Sequence, residues 1–371
     1  MRVLKVPTTS YQPGWFTSYI EKEKENLSCL MGKAWKSIPK SKEGPKHSFQ
    51  VRKTKTGTEF LVPVKRLGEG AFRIVTKKLW IFEDGSRRTV AQYRPKIKLD
   101  GSPEKIKTLT TTLSRMQKEV FVFSLLYERF LPPAELVTYR SSSKIKTRSL
   151  FPCFTQDLLS FLEKNPSLST EKVLSIALKL FQDLARLHEK KWCLLDIKAT
   201  NICLNARNIP FFTDLEFAQE IGIASPRKGS PGWTAPEILE ANRRFFPTGA
   251  NDIWSFGMVL LLMVNKDLFM ALYNSQQDRR TYFDWKNNFL NTHAFVQKSL
   301  SNFPHFLAPI IIETLRLTPE NRPTAEELTG DLISLQKRLG YKPLYTPLFF
   351  GHAPLLQCPK KVEPHVQHLC D

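Results

Sequence analysis

Four polar residues between positions 196 and 214 could do chemistry together. Asp196, Lys198 and Asn201 are crowded into one short segment, and a second acid, Asp214, follows an apolar pair. Carboxylate and amide oxygens are ligands of Mg²⁺, and a lysine can neutralise phosphate charge. Alone, each such residue more often caps a helix or bonds a tight turn. Together they favour phosphoryl transfer, because its catalysis consists mostly of positioning and charge stabilisation.

An amphipathic helix is predicted just before this segment. Its apolar residues follow the helical spacing i, i+3, i+4 and i+7: Val173, Ile176, Ala177, Leu180, Phe181, Leu184 and Leu187. Ser169 is a suitable N-cap, and Glu171 in the first turn is favourable beside the helix dipole. A buried helix of this kind would hold the following loop still at the surface.

Three stretches resemble the protein kinase family in the order that the family requires. Residues 194–201 resemble its catalytic loop, H-R-D-x-K-x-x-N, with Leu194 and Leu195 in place of the His-Arg pair. Asp214 begins a Leu-Glu variant of the metal-binding D-F-G motif, and residues 229–237 resemble the end of a kinase activation segment. One match alone would be weak evidence, but this order and these gaps make coincidence a poor explanation.

The resemblance continues through the C-terminal half and covers roughly residues 59–339. Residues 251–260 resemble the central helix of the kinase large lobe, in which Asp252 would bond backbone N–H groups of the catalytic loop. Near the end, Arg322 would pair with Glu237. These are scaffold roles that hold the catalytic loop in place.

The resemblance implies an ATP- and Mg²⁺-dependent protein kinase that transfers the γ-phosphate to Ser or Thr hydroxyls of protein substrates. Asp196 would be the catalytic base, Lys198 would neutralise charge near the γ-phosphate, and Asn201 with Asp214 would hold Mg²⁺. Lys198 and Thr234, just before Ala-Pro-Glu, favour Ser and Thr as acceptors.

A nucleotide-binding set is implied in the N-terminal half. The glycine-rich residues 67–75 would cover the phosphates, the strand around Ala91 would touch adenine, and a hinge after Phe151 would supply backbone hydrogen bonds. Glu119 is the candidate for the helix glutamate of the family. The cofactor-binding residues predicted in this way are Gly68, Gly70, Val75, Ala91, Glu119, Cys153 and Phe154.

Three positions depart from the family pattern. Tyr93 stands where the phosphate-binding lysine is expected, Arg73 replaces the third glycine, and Glu216 replaces the glycine of D-F-G. Arg94, Lys96 or Lys98 could replace the lysine only through a bulge, because strand alternation puts all three on the opposite face from Ala91. These departures support an alternative, a pseudokinase scaffold that binds partners without phosphoryl transfer.

Leu195 also bears on regulation. It replaces an arginine that grips an activation-loop phosphate in many kinases, so phosphorylation at Ser225 or Ser230 is not expected to switch this protein through that contact.

The expected fold class is α+β, a bilobal protein kinase-like fold with a small mostly-β lobe and a larger mostly-α lobe. The expected divisions are a basic, partly ordered extension over residues 1–58, the small lobe and hinge over 59–154, the large lobe over 155–340 and a tail over 341–371.

The chain has 371 residues and a net charge of +20, with much of the excess in its first 58 residues. Such a surface favours acidic partners beside protein substrates, although a solvated basic face explains it equally well. Nucleic-acid binding is a weaker third hypothesis, and nucleic acid is not expected as a partner. Six scattered cysteines without C-x-x-C, no secretory signal and no transmembrane segment predict a cytoplasmic protein, with signal-less secretion left open.

Overall fold

The computed structural model describes residues 35–38, 49–54, 57–69, 73–82, 84, 86–95, 103–127, 135–140, 145–241, 244–277, 282–303 and 305–341. Its N-terminal part is mostly β-structure and its C-terminal part mostly helical. This confirms the predicted α+β class with a small β lobe and a larger α lobe.

Seven strands of the small lobe close into a barrel in the order β1-β2-β3-β4-β5-β7-β6. The strands are β1 Trp35–Ile38, β2 Phe49–Thr54, β3 Gly57–Glu69, β4 Arg73–Ile81, β5 Arg87–Pro95, β6 Glu135–Arg140 and β7 Ile145–Pro152. Antiparallel pairing joins neighbours except where β1 meets β6 in parallel. Both β1 and β2 lie within the predicted extension, and the expected boundary at residue 58 falls inside β3.

The interior of the barrel is unusually polar. Buried side chains on its strands include Gln50, Glu59, Lys78, Gln92 and Arg148 beside an apolar group of Leu61, Trp80, Val90 and Leu150. Lys78 donates a hydrogen bond to Gln50, and Trp80 Nε1 donates to Glu59 Oε2 at 3.1 Å. Burial, with Arg148 nearby, lowers the pKa of Lys78 to about 7.

The face of β5 outside the barrel packs toward helix α1, Pro103–Tyr127. The Tyr93 ring meets Phe151 edge-on with centroids 5.2 Å apart, and Phe151 meets Phe123 of α1 at the same distance. Phe123 in turn contacts Tyr127, whose hydroxyl accepts a hydrogen bond from the Phe212 backbone at 2.7 Å. This aromatic row ties the small lobe to Phe212 of the large lobe.

The large lobe holds eight further helices among the described residues. They are α2 Leu158–Lys164, α3 Thr170–Glu189, α4 Pro236–Glu240, α5 Gly249–Val264, α6 Lys266–Gln277, α7 Tyr282–Ser301, α8 Ala308–Thr314 and α9 Ala325–Arg338. Short strands β8 Gln156–Asp157, β10 Ile202–Leu204 and β11 Pro210–Phe212 form one small sheet; β9 Trp192–Cys193 pairs with β12 Gln219–Glu220, and β13 Ser225–Pro226 with β14 Arg244–Phe245.

Helix α3 agrees with the prediction from sequence. Ser169 is its N-cap and accepts a hydrogen bond from the Lys172 backbone, and Glu171 lies in the first turn. All seven apolar residues of the predicted stripe are at most 2% exposed. The helix is therefore a rigid base for the loop that follows it.

Helix α5 is buried along nearly its whole length, with Trp254 and Phe256 fully enclosed. Within the part of the chain that the structure describes, neither this helix nor any other combines the length and apolar character needed to cross a bilayer.

Candidate active site

The loop after α3 is anchored from below by Asp252 of α5. Its carboxylate accepts the backbone N–H groups of Leu194 and Leu195, each at 2.8 Å, and lies 3.0 Å from His188 Nε2. Leu195 has a φ of 65°, a costly conformation for a residue with a branched side chain. The contact predicted for Asp252 is present and holds the loop in this strained shape.

Asp196 lies at the centre of the site, and both of its carboxylate oxygens are occupied. Oδ1 accepts from the Ser230 hydroxyl at 2.7 Å, while Oδ2 accepts from Lys198 Nζ at 3.0 Å and from Asn201 Nδ2 at 2.9 Å. Lys198 Nζ also donates to the Ser230 hydroxyl at 2.7 Å. Asp196 is only 8% exposed, so these bonds fix the carboxylate in one orientation.

Asp214 is joined to this network through its neighbour Thr213. The backbone N–H and the hydroxyl of Thr213 both donate to the Asn201 carbonyl, at 2.8 and 3.1 Å. Strands β10 and β11 pair Ile202 with Phe212, which brings the two ends of this hairpin together. Asp214 has a φ of 57° and is exposed. Asp196, Asn201 and Asp214 are thus gathered at one place in the chain's fold.

The end of the activation segment is bound to the large lobe by charge. Arg322 donates to both oxygens of Glu237, at 2.7 and 2.9 Å, as predicted from the sequence. Asn251 Nδ2 donates to the same carboxylate at 2.6 Å. The Arg322 side chain in this pair is fully buried, so the contact indicates architecture more than net stability.

The residues predicted to cover a nucleotide are only partly described. Gly68 lies in β3 opposite Val75 of β4, and Gly70 lies outside the described residues. Val75 pairs with Tyr93, and Ala91 pairs with Phe151 of β7, so alternation places Val75, Ala91 and Tyr93 on one face of the sheet.

The hinge follows β7. The Cys153 N–H already donates to the Thr89 carbonyl at 3.3 Å, whereas the N–H of Phe154 makes no hydrogen bond within the described part of the chain. The Phe154 ring lies 5.3 Å from that of Phe211. Of the two predicted hinge donors, Phe154 is the one with an available N–H.

Tyr93 occupies the position expected for a lysine, and β5 pairs with β4 without any register shift. The bulge that would have brought Arg94 to the other face is therefore absent from β5, and Arg94 is exposed. Lys96 and Lys98 lie outside the described residues. Glu119 is 3% exposed, so it is not a solvated surface acid.

Two glycines shape the activation segment. Gly229 has a φ of 110°, and a Cβ there would lie 2.4 Å from Thr234 Oγ1 and 2.9 Å from the Leu195 carbonyl. At Gly232, with a φ of 86°, a Cβ would meet the Tyr273 ring at 2.4 Å. Glycine at both positions allows the segment to pack closely on the catalytic loop and on α6.

The two serines considered as phosphorylation sites differ in their surroundings. Ser225 is 1% exposed and its hydroxyl donates to the Pro226 carbonyl. Ser230 touches both Asp196 and Lys198, a role that sequence analysis missed. Thr234, whose place before Ala-Pro-Glu favoured Ser and Thr as acceptors in the sequence, donates to the Ser230 carbonyl at 2.8 Å. The only signal for Ser230 was its place in the segment resembling a kinase motif.

The surroundings of the cysteine thiols near the site make these thiols unreactive. Burial raises the pKa of Cys203 to about 11, even though the Thr213 hydroxyl donates to its sulfur at 3.4 Å. Burial also raises the pKa of Cys193 far above its usual range. These cysteines are packing residues at neutral pH.

Comparison with known proteins agrees with this geometry. A probable serine/threonine-protein kinase of Dictyostelium discoideum is 29% identical over 179 residues, 47% of this chain and 10% of that protein. Serine/threonine-protein kinase SKM1 of Saccharomyces cerevisiae is 32% identical over 122 residues, 30% of this chain and 18% of its own length. Serine/threonine-protein kinase TAO1-B of Xenopus laevis is 28% identical over 192 residues, 49% and 17% of the two chains.

The matched region is thus a small part, between a tenth and about a fifth, of each of these relatives. Residues 134–331, more than half of the chain, match the protein kinase domain as a family. The match includes every residue of the Asp196 network and the Arg322–Glu237 pair. The chain belongs to the protein kinase family.

Proposed function

We propose that this chain is a protein kinase that transfers the γ-phosphate of ATP to Ser and Thr hydroxyls of protein substrates. The observation that carries the proposal is the bonded group of Asp196, Lys198 and Asn201, with Asp214 joined to it through Thr213. A pure scaffold has no chemical need for this arrangement. The serine/threonine-protein kinases that the chain resembles support the same activity.

The donor set fits Mg²⁺. Asn201 uses its amide nitrogen on Asp196, and its amide oxygen makes no hydrogen bond within the described part of the chain, so that oxygen is available to a cation. Asp214 adds an exposed carboxylate, and hard oxygen donors of this kind suit Mg²⁺. Bound Mg²⁺ would supply neutralisation of the phosphate charge.

Each protein group then has a defined task. Asp196 accepts the proton of the acceptor hydroxyl or orients that hydroxyl, which its fixed carboxylate suits. Lys198 balances negative charge on the transferred phosphoryl group. The Ser230 hydroxyl, bonded to both, keeps the carboxylate and the ammonium in register. The Phe154 N–H is the hinge donor that we assign to adenine.

The cation that replaces the family lysine is part of the proposal. Arg73 begins β4 and is paired in register with Pro95 at the end of β5. Arg73, Lys96 and Lys98 are the candidates, because β5 has no bulge that would bring Arg94 to the face of Ala91. Replacing each by Gln and measuring the KM for ATP would identify the residue, because loss of a phosphate contact raises that KM.

The alternative is a pseudokinase scaffold, and a specific observation favours it. Tyr93 packs edge-on against Phe151 where a lysine would reach phosphate, and Glu216 adds a carboxylate beside Asp214. In this case nucleotide could bind without transfer. We also propose that the chain is divided into an extension, two lobes and a tail. Its proposed partners are protein substrates.

The test is incubation of the purified chain with labelled ATP, Mg²⁺ and a panel of Ser- and Thr-containing proteins, with Asp196→Asn as the paired variant. General acid–base groups contribute about 10²–10⁴-fold in rate, so transfer should fall by at least that lower factor in the variant. Equal transfer by both proteins, or none by the unaltered chain, would reject the proposal. The latter outcome with nucleotide still bound would favour the scaffold.

A further inference from the structure

Three cations come together where α1 meets the activation segment. We call Arg115 and Lys118 of α1 and Lys228 of the segment the cationic cluster. Helix α1 packs against the turn of Leu215–Phe217, and its Phe121 meets Trp192 edge-on at 5.7 Å. On the opposite side, Lys228 Nζ donates to the Gln219 side chain at 3.3 Å. The cluster is thus held between elements that are packed against each other.

The charges in the cluster repel one another. Partial burial, together with the neighbouring Lys228 and Arg115, lowers the pKa of Lys118 to about 8. Burial and Arg115 also lower the pKa of Lys228.

Two carboxylates, Glu216 and the buried Glu119, raise the pKa of Lys118, but by less than burial and the neighbouring cations lower it. Lys118 and Lys228 are partly buried and Arg115 is exposed, and such a group of cations creates a positive potential that an anionic partner would relieve.

The cluster lies close to the reacting groups. Lys228 is two residues before Ser230, whose hydroxyl is 2.7 Å from Asp196. An extended chain covers about 3.3–3.6 Å per residue, so the Cα atoms of these two residues are at most about 7 Å apart. An extended peptide with its hydroxyl at Asp196 would therefore reach the cluster within about three to five residues.

Resting on the function proposed above, we propose that the cationic cluster binds a run of Glu or Asp side chains in the protein substrate, about three to five residues from the acceptor hydroxyl. Two of its members are lysines, which act as compact point charges and suit separate carboxylates. The substrate class is an acidic peptide segment.

The first test measures binding alone, so it does not depend on catalysis. Fluorescent peptides carry one Ser with three Glu residues on its N-terminal or C-terminal side, and their twins carry Gln instead. Anisotropy titrations compare the full chain with Lys118→Gln/Lys228→Gln. The matched control is Lys337→Gln/Arg338→Gln, which removes the same charge from the exposed last turn of α9. Urea denaturation confirms that all three proteins are folded.

We expect one of the two Glu peptides, with its Glu residues either N-terminal or C-terminal to the Ser, to bind at least about tenfold more tightly than its Gln twin. That is a difference of ~1.4 kcal/mol or more. The cluster variant should lose this ratio and the control should keep it. The inference is overturned if the Glu and Gln twins bind alike, or if the control variant loses as much of the Glu-to-Gln affinity ratio as the cluster variant does. It is also overturned if a short DNA duplex displaces the labelled peptide at a lower concentration than the unlabelled peptide does. The last result would indicate a nucleic-acid surface.

The second test separates this inference from the proposed function. On the same peptides, the cluster variant should raise the KM of the Glu peptide and leave kcat nearly unchanged. Equal transfer to Glu and Gln twins would refute the acidic preference while the kinase activity stands. No transfer to any peptide, with the binding ratio intact, would refute the kinase activity and leave the acidic docking surface supported.

Discussion

Ser230 joins the two charged groups of the candidate site, because its hydroxyl contacts both Asp196 and Lys198 at 2.7 Å. Ser230→Ala removes both bonds. Hydrogen bonds to charged groups contribute about 1.5–3 kcal/mol, so we expect kcat to fall by roughly 10–100-fold. Ser230→Thr, which keeps the hydroxyl, should retain most activity. Steady-state kinetics check this, and an Ala variant as fast as the Thr variant would remove Ser230 from the account.

Asp252 holds the catalytic loop rather than the substrate. Asp252→Ala leaves the buried N–H groups of Leu194 and Leu195 without their acceptor, at about 1–3 kcal/mol each. We expect the free energy of unfolding to fall by about 3 kcal/mol or more, since the positive φ of Leu195 also loses its support.

Urea denaturation followed by circular dichroism measures this loss. Asp331→Ala, an exposed carboxylate on α9, is the control and should change little. Equal midpoints for the two variants would mean that Asp252 does not anchor the loop.

Residue types and spacing predicted part of this site and not the rest. Asp196, Lys198, Asn201 and Asp214 were found because they share one short stretch with a recognisable order. Ser230 was considered only as a position whose phosphorylation was not expected to matter, since only the folded chain brings it against Asp196. Tyr93 was predicted to depart from the family pattern, and the residue that compensates for it depends on three-dimensional reach.

At the scale of elements, the barrel places a lysine where water is excluded. The folded pKa of Lys78, about 7, is below its value of 10.5 in an open chain, so between these two pH values the unfolded chain binds more protons. Stability should therefore rise with pH across that window, by at most about 1.4 kcal/mol per pH unit.

The measurement is the free energy of unfolding at pH 7 and pH 9 for the natural chain and for Lys78→Met. The natural chain should gain stability relative to the variant as pH rises. Lys337→Met, at an exposed site, should follow the natural chain. Parallel curves for Lys78→Met and the natural chain would show that Lys78 is charged normally in the barrel.

The elements with a periodic apolar pattern were predictable from the sequence, whereas the closure of the barrel by strands distant in sequence was not. Helix α3 has a continuous apolar stripe and a cap, and both were predicted from sequence. The strands β1, β2 and β6 were not predicted: β1 and β2 lie in a basic stretch, and all three are runs of at most six residues. Their pairing is decided by partners far away in sequence, such as Lys36 with Arg140.

At the scale of the whole molecule, strands β1 and β2 join the predicted basic extension to the small β lobe. Removing residues 1–56 deletes β1 and β2 and leaves an edge on β3. We expect faster hydrogen exchange in Gly57–Glu69 and a lower Tm, because the polar interior of the barrel becomes open to water. Exchange in α9 serves as the internal control, and unchanged protection of β3 would show that the barrel does not depend on the extension.

The net charge of +20 belongs to the same scale. The cationic cluster gives a part of that charge a defined place beside the candidate active site. The remaining basic surface acts on association rates and salt dependence rather than on the fold.

The central claim is that Asp196, Asn201 and Asp214 together accept a magnesium nucleotide. Isothermal titration of the full chain with ATP, with and without Mg²⁺, tests it most directly, beside Asp214→Asn. We predict that Mg²⁺ strengthens binding by about tenfold or more, ~1.4 kcal/mol, and that Asp214→Asn abolishes this difference while the Mg²⁺-free affinity persists. Absence of ATP binding under both conditions, or a magnesium effect unchanged in Asp214→Asn, would contradict the account.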